Sequence, residues 1–553
     1  MAFVDDYTAW VTGPSAEAKR EGLQAIIDRA LNWERRSGAT FEGDKTALVH
    51  FTRNKVRATS APLTVKGEEV VPTDTAKILG VVMDTELRYK QHIAKAATKG
   101  LRAAMALKRL RLASPSTARQ LFVATVAPVV DYASSVWMHS CNGASMASVY
   151  RVQKIGAQAI IGTFRTVATT ISEAEASIRT VHERHIEKAT KLWVSLRTLP
   201  KTNPLARLGN RIFQRFTSPL QKTSQMLLHV PTDRMEIILP YTIPPWEGRI
   251  HVTIDPDRDK AIETAKDTQG IRISTSSSER QDRVGMGGAI DCTGSCVPDL
   301  EPTAFSITVG TRTEQNPYTV ELAAIATAMH RLPPHLQRKQ ITIFTSSQAA
   351  LKAVSQPKQQ SGQGSIEQIY RTARELKARD NHLHIAWIPA AADFELSKKA
   401  KTAARQATEN GRSPHSPPQQ VKSTTVNRAI GEQRSQRELL DGVGKYSKRI
   451  DTALPGKHTR LLYDTFKRPE ASILAQLRTG MARLNGYLHR IGAVESEQCA
   501  CGQASETVEH FLFRCTRWET QRRQMLQHSE TRRGSLSFYL GGKAAVKETI
   551  LCV

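Results

Sequence analysis

Acidic side chains are what this sequence is short of. It sets 52 Asp and Glu against 78 Lys and Arg, a formal charge of +26 over 553 residues. A field of that size argues against an acidic small-molecule enzyme. It favours a polyanionic partner, nucleic acid ahead of an anionic membrane surface. Cysteine is scarce as well. Seven in the whole chain do not make a secreted disulfide scaffold, which points to a reducing intracellular compartment, nucleus or cytoplasm. A long hydrophobic run is missing too. The most apolar stretch, from Leu121 to Trp137, contains Pro128 and Asp131 and falls short of the roughly 20 residues that span a bilayer, so no membrane partner is expected. The N-terminus, MAFVDDYTAWVTG, carries carboxylates where a signal peptide has a basic segment and an apolar core. What is present suffices for folding. A content of 40% apolar residues excludes global disorder, and at roughly 150 residues per domain the length predicts three or four domains.

Ser15 to Arg36 has helical spacing, with Leu23, Ile26, Ile27, Ala30 and Leu31 on one face, Ser15 as N-cap and Gly38 as stop. Lys45–Phe51 and Ile78–Met83 read as strands. Arg88 to Arg119 then holds nine basic residues and no acid. Ile93, Ala97, Leu101, Ala104 and Leu107 form its apolar face, and Lys95, Lys99 and Arg102 lie on another. Such a stripe suits phosphate contact or is a solvated basic surface. Further helices are expected over Ser116–Ala133, Ala147–Ile161 and Ser172–Leu196. Residues 199–265 read as a Pro-rich linker or connection with some packed strands, and 411–436 as a polar linker.

FVDD at Phe3–Asp6 places adjacent carboxylates where a tight hairpin can bring both to one site, as two-metal nucleotidyl transfer needs. It is followed in order by a helix carrying Trp33, GATFEGDKTALVHFTR (Gly38–Arg53), ILGVVMDTELRYKQHI (Ile78–Ile93) and YASSVW (Tyr132–Trp137). In that order the segments resemble reverse transcriptases of non-LTR (LINE-like) retrotransposons, fungal ones in particular. The resemblance implies that Asp5 and Asp6 match the catalytic Mg²⁺-binding pair of the polymerase palm. Lys45 would sit near the incoming triphosphate, and the basic helices, with Lys95, Lys99, Arg102, Lys108, Arg109 and Arg111, would form a thumb gripping template–primer. The chain starts at the DD hairpin, so the fingers and the strand with the third Asp are expected upstream, supplied by the parent element. No autonomous RNA-directed DNA polymerase activity is expected of this chain.

Between residues 271 and 408 the order is strand, strand, strand, helix, strand, helix, helix, strand, helix. With VGMGGAI, YTVELAAIATAM, ITIFTSSQAALKAV and WIPA, this resembles the ribonuclease H fold, which cuts the RNA of a hybrid with Mg²⁺ held by four carboxylates. Carried over residue by residue, Glu321 is kept, Ser276, Ser346 and Lys401 occupy the other acid positions, and Ala391 stands for the loop His. A cation at Lys401 opposes metal binding and is placed to pair with Glu321. Asp393 and Glu395 fall in a nearby loop.

Cys499, Cys501, His510 and Cys515 give C-x-C-x₈-H-x₄-C, a closed tetrahedral set for structural Zn²⁺, with His510 and Cys515 on adjacent helical turns. After Leu474–Gly492 the cluster resembles the zinc knuckle of LINE-type polyproteins. That implies phosphate contacts from Arg478, Arg483, Arg490, Arg514 and Arg517, with Trp518 either stacking on a base or packing against the knuckle.

The fold class expected is multidomain, α+β and α/β: a partial palm (1–90), a helical thumb (91–198), the linkers named above, a degenerate ribonuclease H-like mixed-sheet domain (266–410), and a basic helical region with the Cys/His knuckle (437–553). The function expected is binding of RNA and DNA, as template–primer or hybrid, without catalysis. An active hybrid nuclease and a co-opted nucleic-acid-binding protein are the alternatives.

Overall fold

The computed structural model describes residues 2–3, 6–52, 61–141, 143–210, 217–293, 303–414, 417–435, 438–439, 441–526, 532, 534–541, 546–547 and 549–550. The chain forms two compact units, one of Met1–Lys188 with Gln436–Val553, the other of Ala189–Ser435.

The first unit opens with the helix Ala16–Ser37, capped as its sequence predicts. Ser15 Oγ accepts the Ala18 N–H at 3.2 Å, and Gly38 closes the helix at φ 75°. The strand expected at Lys45–Phe51 does not form: Gly43–Lys45 is a 3₁₀ turn, and Leu48 makes a single bridge to Pro72. The strand expected at Ile78–Met83 is a hairpin instead, Thr75–Ile78 against Val81–Asp84. Leu79 and Gly80 turn it with φ of 45° and 83°, the doubly left-handed geometry of a two-residue turn.

The basic stretch is the helix Lys90–Arg109, with Ile93, Ala97, Ala104 and Leu107 buried. It is packed so closely that a Cβ on Gly100 would come within 2.2 Å of Val130 and within 3.3 Å of Val152 in the helix Gly143–Ile161. The next helix runs Pro115–Leu121, widens to a π turn at Phe122–Val126 and resumes at Ala127–Val130. The wide turn sits just ahead of Pro128, whose ring and missing N–H do not fit a regular α ladder. The helix expected over Ser172–Leu196 is two, Thr169–Glu175 and Val181–Arg197, broken where Ser177 takes φ 51°.

The C-terminal helices His458–Tyr463 and Arg468–Thr479 share one apolar core with these helices. A buried ionic knot ties them together. Arg478 Nε donates to Glu175 Oε2 at 2.8 Å, its NH2 group to Asp451 at 2.7 Å and its NH1 group to the Leu540 carbonyl at 2.6 Å. Tyr463 Oη donates to the same Glu175 oxygen at 2.8 Å. Burial works against the Arg478 charge, but Glu175, Tyr463 and Asp451 hold its pKa above the usual range. Arg478 is 0% exposed, so it does not contact phosphate as the sequence suggests.

In the second unit, strands β1 (His251–Thr253), β2 (Gly270–Arg280), β3 (Arg283–Thr293), β4 (Thr303–Thr311), β5 (Gln340–Thr345) and β6 (His382–Trp387) make one mixed sheet, ordered β4-β3-β2-β5-β6-β1. β3 runs antiparallel to β2 and β4, while β5 runs parallel to β2 and β6, and β1 parallel to β6. The helices are α1 (Arg258–Asp267), α2 (Pro317–His330), α3 (Gln348–Ser355), α4 (Gln363–Lys377) and α5 (Glu395–Gln406). Glycines in β3 let α5 cross at backbone distance: a Cβ on Gly287 would meet Ala404 N at 2.3 Å. Two stretches read as linkers are built in. His251–Thr253 extends the sheet, and Lys422–Ser435 is a helix whose Val426, Ala429 and Ile430 pack on Trp193, Leu227 and Met235.

Removing one partner from a buried ion pair strands the others and costs about 3–5 kcal/mol. Arg478→Leu is therefore expected to destabilise the first unit by that amount in chemical denaturation; a loss under about 1 kcal/mol contradicts the knot's role.

Candidate nucleic-acid interface and metal centre

Lys95, Lys99, Arg102, Lys108, Arg109 and Arg111 are all exposed, and none enters a salt bridge among the described residues. Residues 95, 99, 102 and 109 follow one face, a stripe about 20 Å long at 1.5 Å per residue. The ninth cation of the run behaves differently: Arg119 is buried, bound to the Ala176 carbonyl at 2.8 Å and paired with Asp464 at 2.5 Å.

The Cys/His cluster assembles on a short turn and a capped helix. Cys499 N–H bonds the Ala504 carbonyl at 2.9 Å and Gly502 N–H the Cys499 carbonyl at 2.9 Å, folding Cys499 and Cys501 toward one point. Thr507 caps the helix Val508–Phe513, which presents His510. Cys515 lies beyond that helix rather than on its next turn, and its N–H returns to the His510 carbonyl at 2.8 Å. The four ligand atoms lie within 4.8 Å of one another. Cys499 and Cys515 Sγ are 3.6 Å apart, and Cys501 Sγ and His510 Nε2 3.2 Å. Tetrahedral zinc with bonds near 2.3 Å sets sulfurs about 3.8 Å apart. Among the described residues this is the one set of three or more His, Cys, Asp or Glu groups able to hold a metal such as zinc. The Gln503 backbone N–H above all draws the Cys501 thiol down to about 6, while burial pushes Cys499 up to about 11. Arg483, Arg490, Arg514 and Arg517 are exposed around it. Arg514 pairs with Glu509 at 2.8 Å. Trp518 packs edge-on to Phe511 at 5.9 Å and lies under Arg517, 38% exposed.

In the second unit, Glu321 projects from α2 and is buried. Its Oε1 accepts from Thr345 Oγ1 at 2.7 Å and Thr275 Oγ1 at 2.9 Å, two residues in direct register on β5 and β2. Burial raises its pKa, opposed by the hydroxyls of Thr345, Thr275 and Ser277. Among the described hydrogen bonds and salt bridges, none joins Ser276, Ser346 or Lys401 to Glu321. Lys401 does not pair with it, because its ammonium donates to the Ala390 carbonyl. Ser276 is buried, Ser346 half-buried just past β5, and Ala391 exposed. Glu395 opens α5 rather than lying in a loop, and Lys398 binds both Asp393 (2.6 Å) and Glu395 (3.7 Å). Thr275 and Thr345 were not singled out in the sequence, although each immediately precedes a position, Ser276 or Ser346, at which the resemblance expects an acid.

Of the residues expected to belong to a polymerase palm, Asp5 lies outside the described residues. Asp6 is exposed on the two-residue strand Asp6–Tyr7, paired with Ala2–Phe3. Lys45, in its 3₁₀ turn, is paired with Glu42.

No family model matches the chain. A 49-residue stretch is 43% identical to the retrovirus-related Pol polyprotein from type-1 retrotransposable element R1 2 of Nasonia vitripennis, covering 9% of this chain and 12% of that protein. Over 186 residues it is 25% identical to the probable RNA-directed DNA polymerase from transposon X-element of Drosophila melanogaster, covering 33% of this chain and 20% of the relative. The chain is thus weakly homologous to retrotransposon polymerases and matches no more than a fifth of either relative's length. Among solved structures, RNase H1 of Halobacterium salinarum (15% identity, 25% of this chain and 96% of that one, TM-score 0.19) and LC11-RNase H1 in complex with RNA/DNA hybrid (18%, 25% and 99%, TM-score 0.20) are similar.

Two outcomes are expected. The full chain should carry about one zinc by elemental analysis, lost in Cys499→Ser; a metal-free wild-type chain contradicts the centre. Glu321 titrates above its unfolded value of 4.5, so the folded state holds the proton more tightly and stability falls as pH rises from 4.5 through the raised value. Glu321→Gln keeps an acceptor and should raise Tm by roughly 2–4 °C at pH 7 with little change near pH 4. Equal shifts at both pH values would show that Glu321 is not held protonated.

Proposed function

We propose that the chain is the C-terminal part of a non-LTR, fungal-type retrotransposon reverse transcriptase that holds an RNA- or DNA-containing template–primer duplex and does not itself catalyse. The observation that carries this is the exposed stripe at Lys95, Lys99, Arg102 and Arg109, without salt bridges among the described residues, on a chain of charge +26. Phosphates draw such a surface by counterion release. The Cys499–Cys515 centre adds a zinc knuckle whose Arg483, Arg490 and Arg517 extend the basic surface. Asp6 and Lys45 are read as remnants of a Mg²⁺-dependent palm completed by an upstream region of the parent element, and the compartment as nucleus or cytoplasm.

The six-stranded sheet has the strand and helix order expected of a ribonuclease H-like fold, and we read it as a degenerate hybrid-binding domain. Two Mg²⁺ ions need clustered carboxylates. Here Glu321 is sealed by hydroxyls, and Lys401 brings a cation where an acid is required, so the residues do not fit the metals and the nuclease reading is disfavoured. A co-opted binding protein differs from the main reading in history rather than in chemistry.

Fluorescence anisotropy with a labelled template–primer tests the reading. Log affinity should fall linearly with log salt, and the variant Lys95→Ala/Lys99→Ala/Arg102→Ala should flatten that slope by roughly 2–3. Salt-independent binding, or none, overturns it. Mg²⁺-dependent cleavage of an RNA–DNA hybrid that disappears in Glu321→Ala overturns the non-catalytic part.

A further inference from the structure

The basic helix ends in a turn that presents leucine to water among cations. Arg111 and Leu112 occupy the corners of the turn Leu110–Ala113, closed by the Ala113 N–H to the Leu110 carbonyl at 3.2 Å. Leu112 is 101% exposed and Leu110 49%, and Met105 one turn back is 40% exposed. Lys108, Arg109 and Arg111 are exposed on the same few residues. Ser114 then caps the helix Pro115–Leu121, its Oγ accepting the Thr117 N–H at 3.2 Å, so the turn is held at both ends. Single exposed leucines are ordinary. This one stands fully clear of its own protein in the turn that follows the cationic helix Lys90–Arg109.

We infer that Leu112 is an apolar wedge that enters the groove of a nucleic-acid duplex and partly unstacks a base step, while Arg109 and Arg111 hold the flanking phosphates. Apolar side chains inserted in this way kink the duplex and fix the protein's position along it. The cations supply the complementarity that selects a phosphate-lined partner. The inference rests on the duplex-binding reading above and adds to it a contact to bases, which the phosphate stripe alone does not make.

The test uses the full chain, a template–primer duplex with 2-aminopurine at successive positions, and the variants Leu112→Ala and Lys99→Ala/Arg102→Ala. Leu112 touches little of its own protein, so Leu112→Ala should keep the wild-type circular dichroism and Tm. Wild type should raise 2-aminopurine fluorescence at one step. Leu112→Ala should lose that rise and bind roughly tenfold more weakly with an unchanged salt slope. Lys99→Ala/Arg102→Ala should flatten the slope and, at saturating protein, keep the rise. Salt-dependent binding with the same fluorescence in wild type and Leu112→Ala would overturn the wedge and leave the binding reading standing. No salt-dependent binding at all would overturn both. Binding to phosphatidylserine vesicles that needs Leu112, with no fluorescence rise on the duplex, would assign the turn to a membrane surface and overturn the wedge as well.

Discussion

A guanidinium without water has to be surrounded by its own counter-charges, and Arg478 meets that demand with groups from distant parts of the chain. Glu175 comes from the helix Thr169–Glu175, while Asp451 and Tyr463 come from the terminal region. An arginine cannot shed its proton to escape burial. The knot therefore closes only when residues 169–175 and 451–479 are correctly docked. Two regions that composition alone would separate thus become one compact unit. The zinc-type centre at Cys499–Cys515 is built on the same body as the basic helix, rather than on a tether.

The parts legible in the sequence are those fixed by local chemistry. Ser15 and Gly38 mark a helix because capping and left-handed φ are short-range demands. The ordered strands and helices of residues 270–406 follow from hydrophobic period, and the Cys/His spacing points to a centre whose four ligands do converge. What was not legible depends on tertiary partners. Lys45–Phe51 has strand composition but finds no neighbouring strand. The 422–435 helix hides Val426, Ala429 and Ile430 in a polar stretch. Arg478 looks like any basic residue near the Cys/His cluster until its acids, one of them 303 positions away and the other at the end of another helix, are in place. At the hairpin, the glycine that turns the chain sits inside a continuous apolar run, so period alone merges two strands into one.

Glu321 shows how a buried acid can be held without a counter-charge. In β2 and β5 the residues in register are Thr275 and Thr345, and both donate to Glu321. These donors favour the ionised carboxylate, but burial outweighs them and favours the protonated form. The carboxyl is thus accommodated as a buried polar group held by two threonine hydroxyls. The sheet and α2 pack around this carboxyl with no charged partner among the described residues.

The acid deficit is sharper at the surface than in the composition. Among the described residues Asp131, Glu173, Glu175, Glu236, Glu321 and Asp451 are buried, whereas Arg119 and Arg478 are the only buried Lys or Arg. Asp131, for example, is spent on Arg184, at 2.7 Å, and on His185, at 3.1 Å. Acids held inside do not stand beside the exposed cations, and the helix Lys90–Arg109 contributes no acid of its own to offset them. The internal packing of this protein therefore places the cations, more than the acids, where a polyanion would meet them. The charge imbalance becomes a property of the folded surface rather than of the amino-acid count, because the same acids that close the core are those missing from the outside.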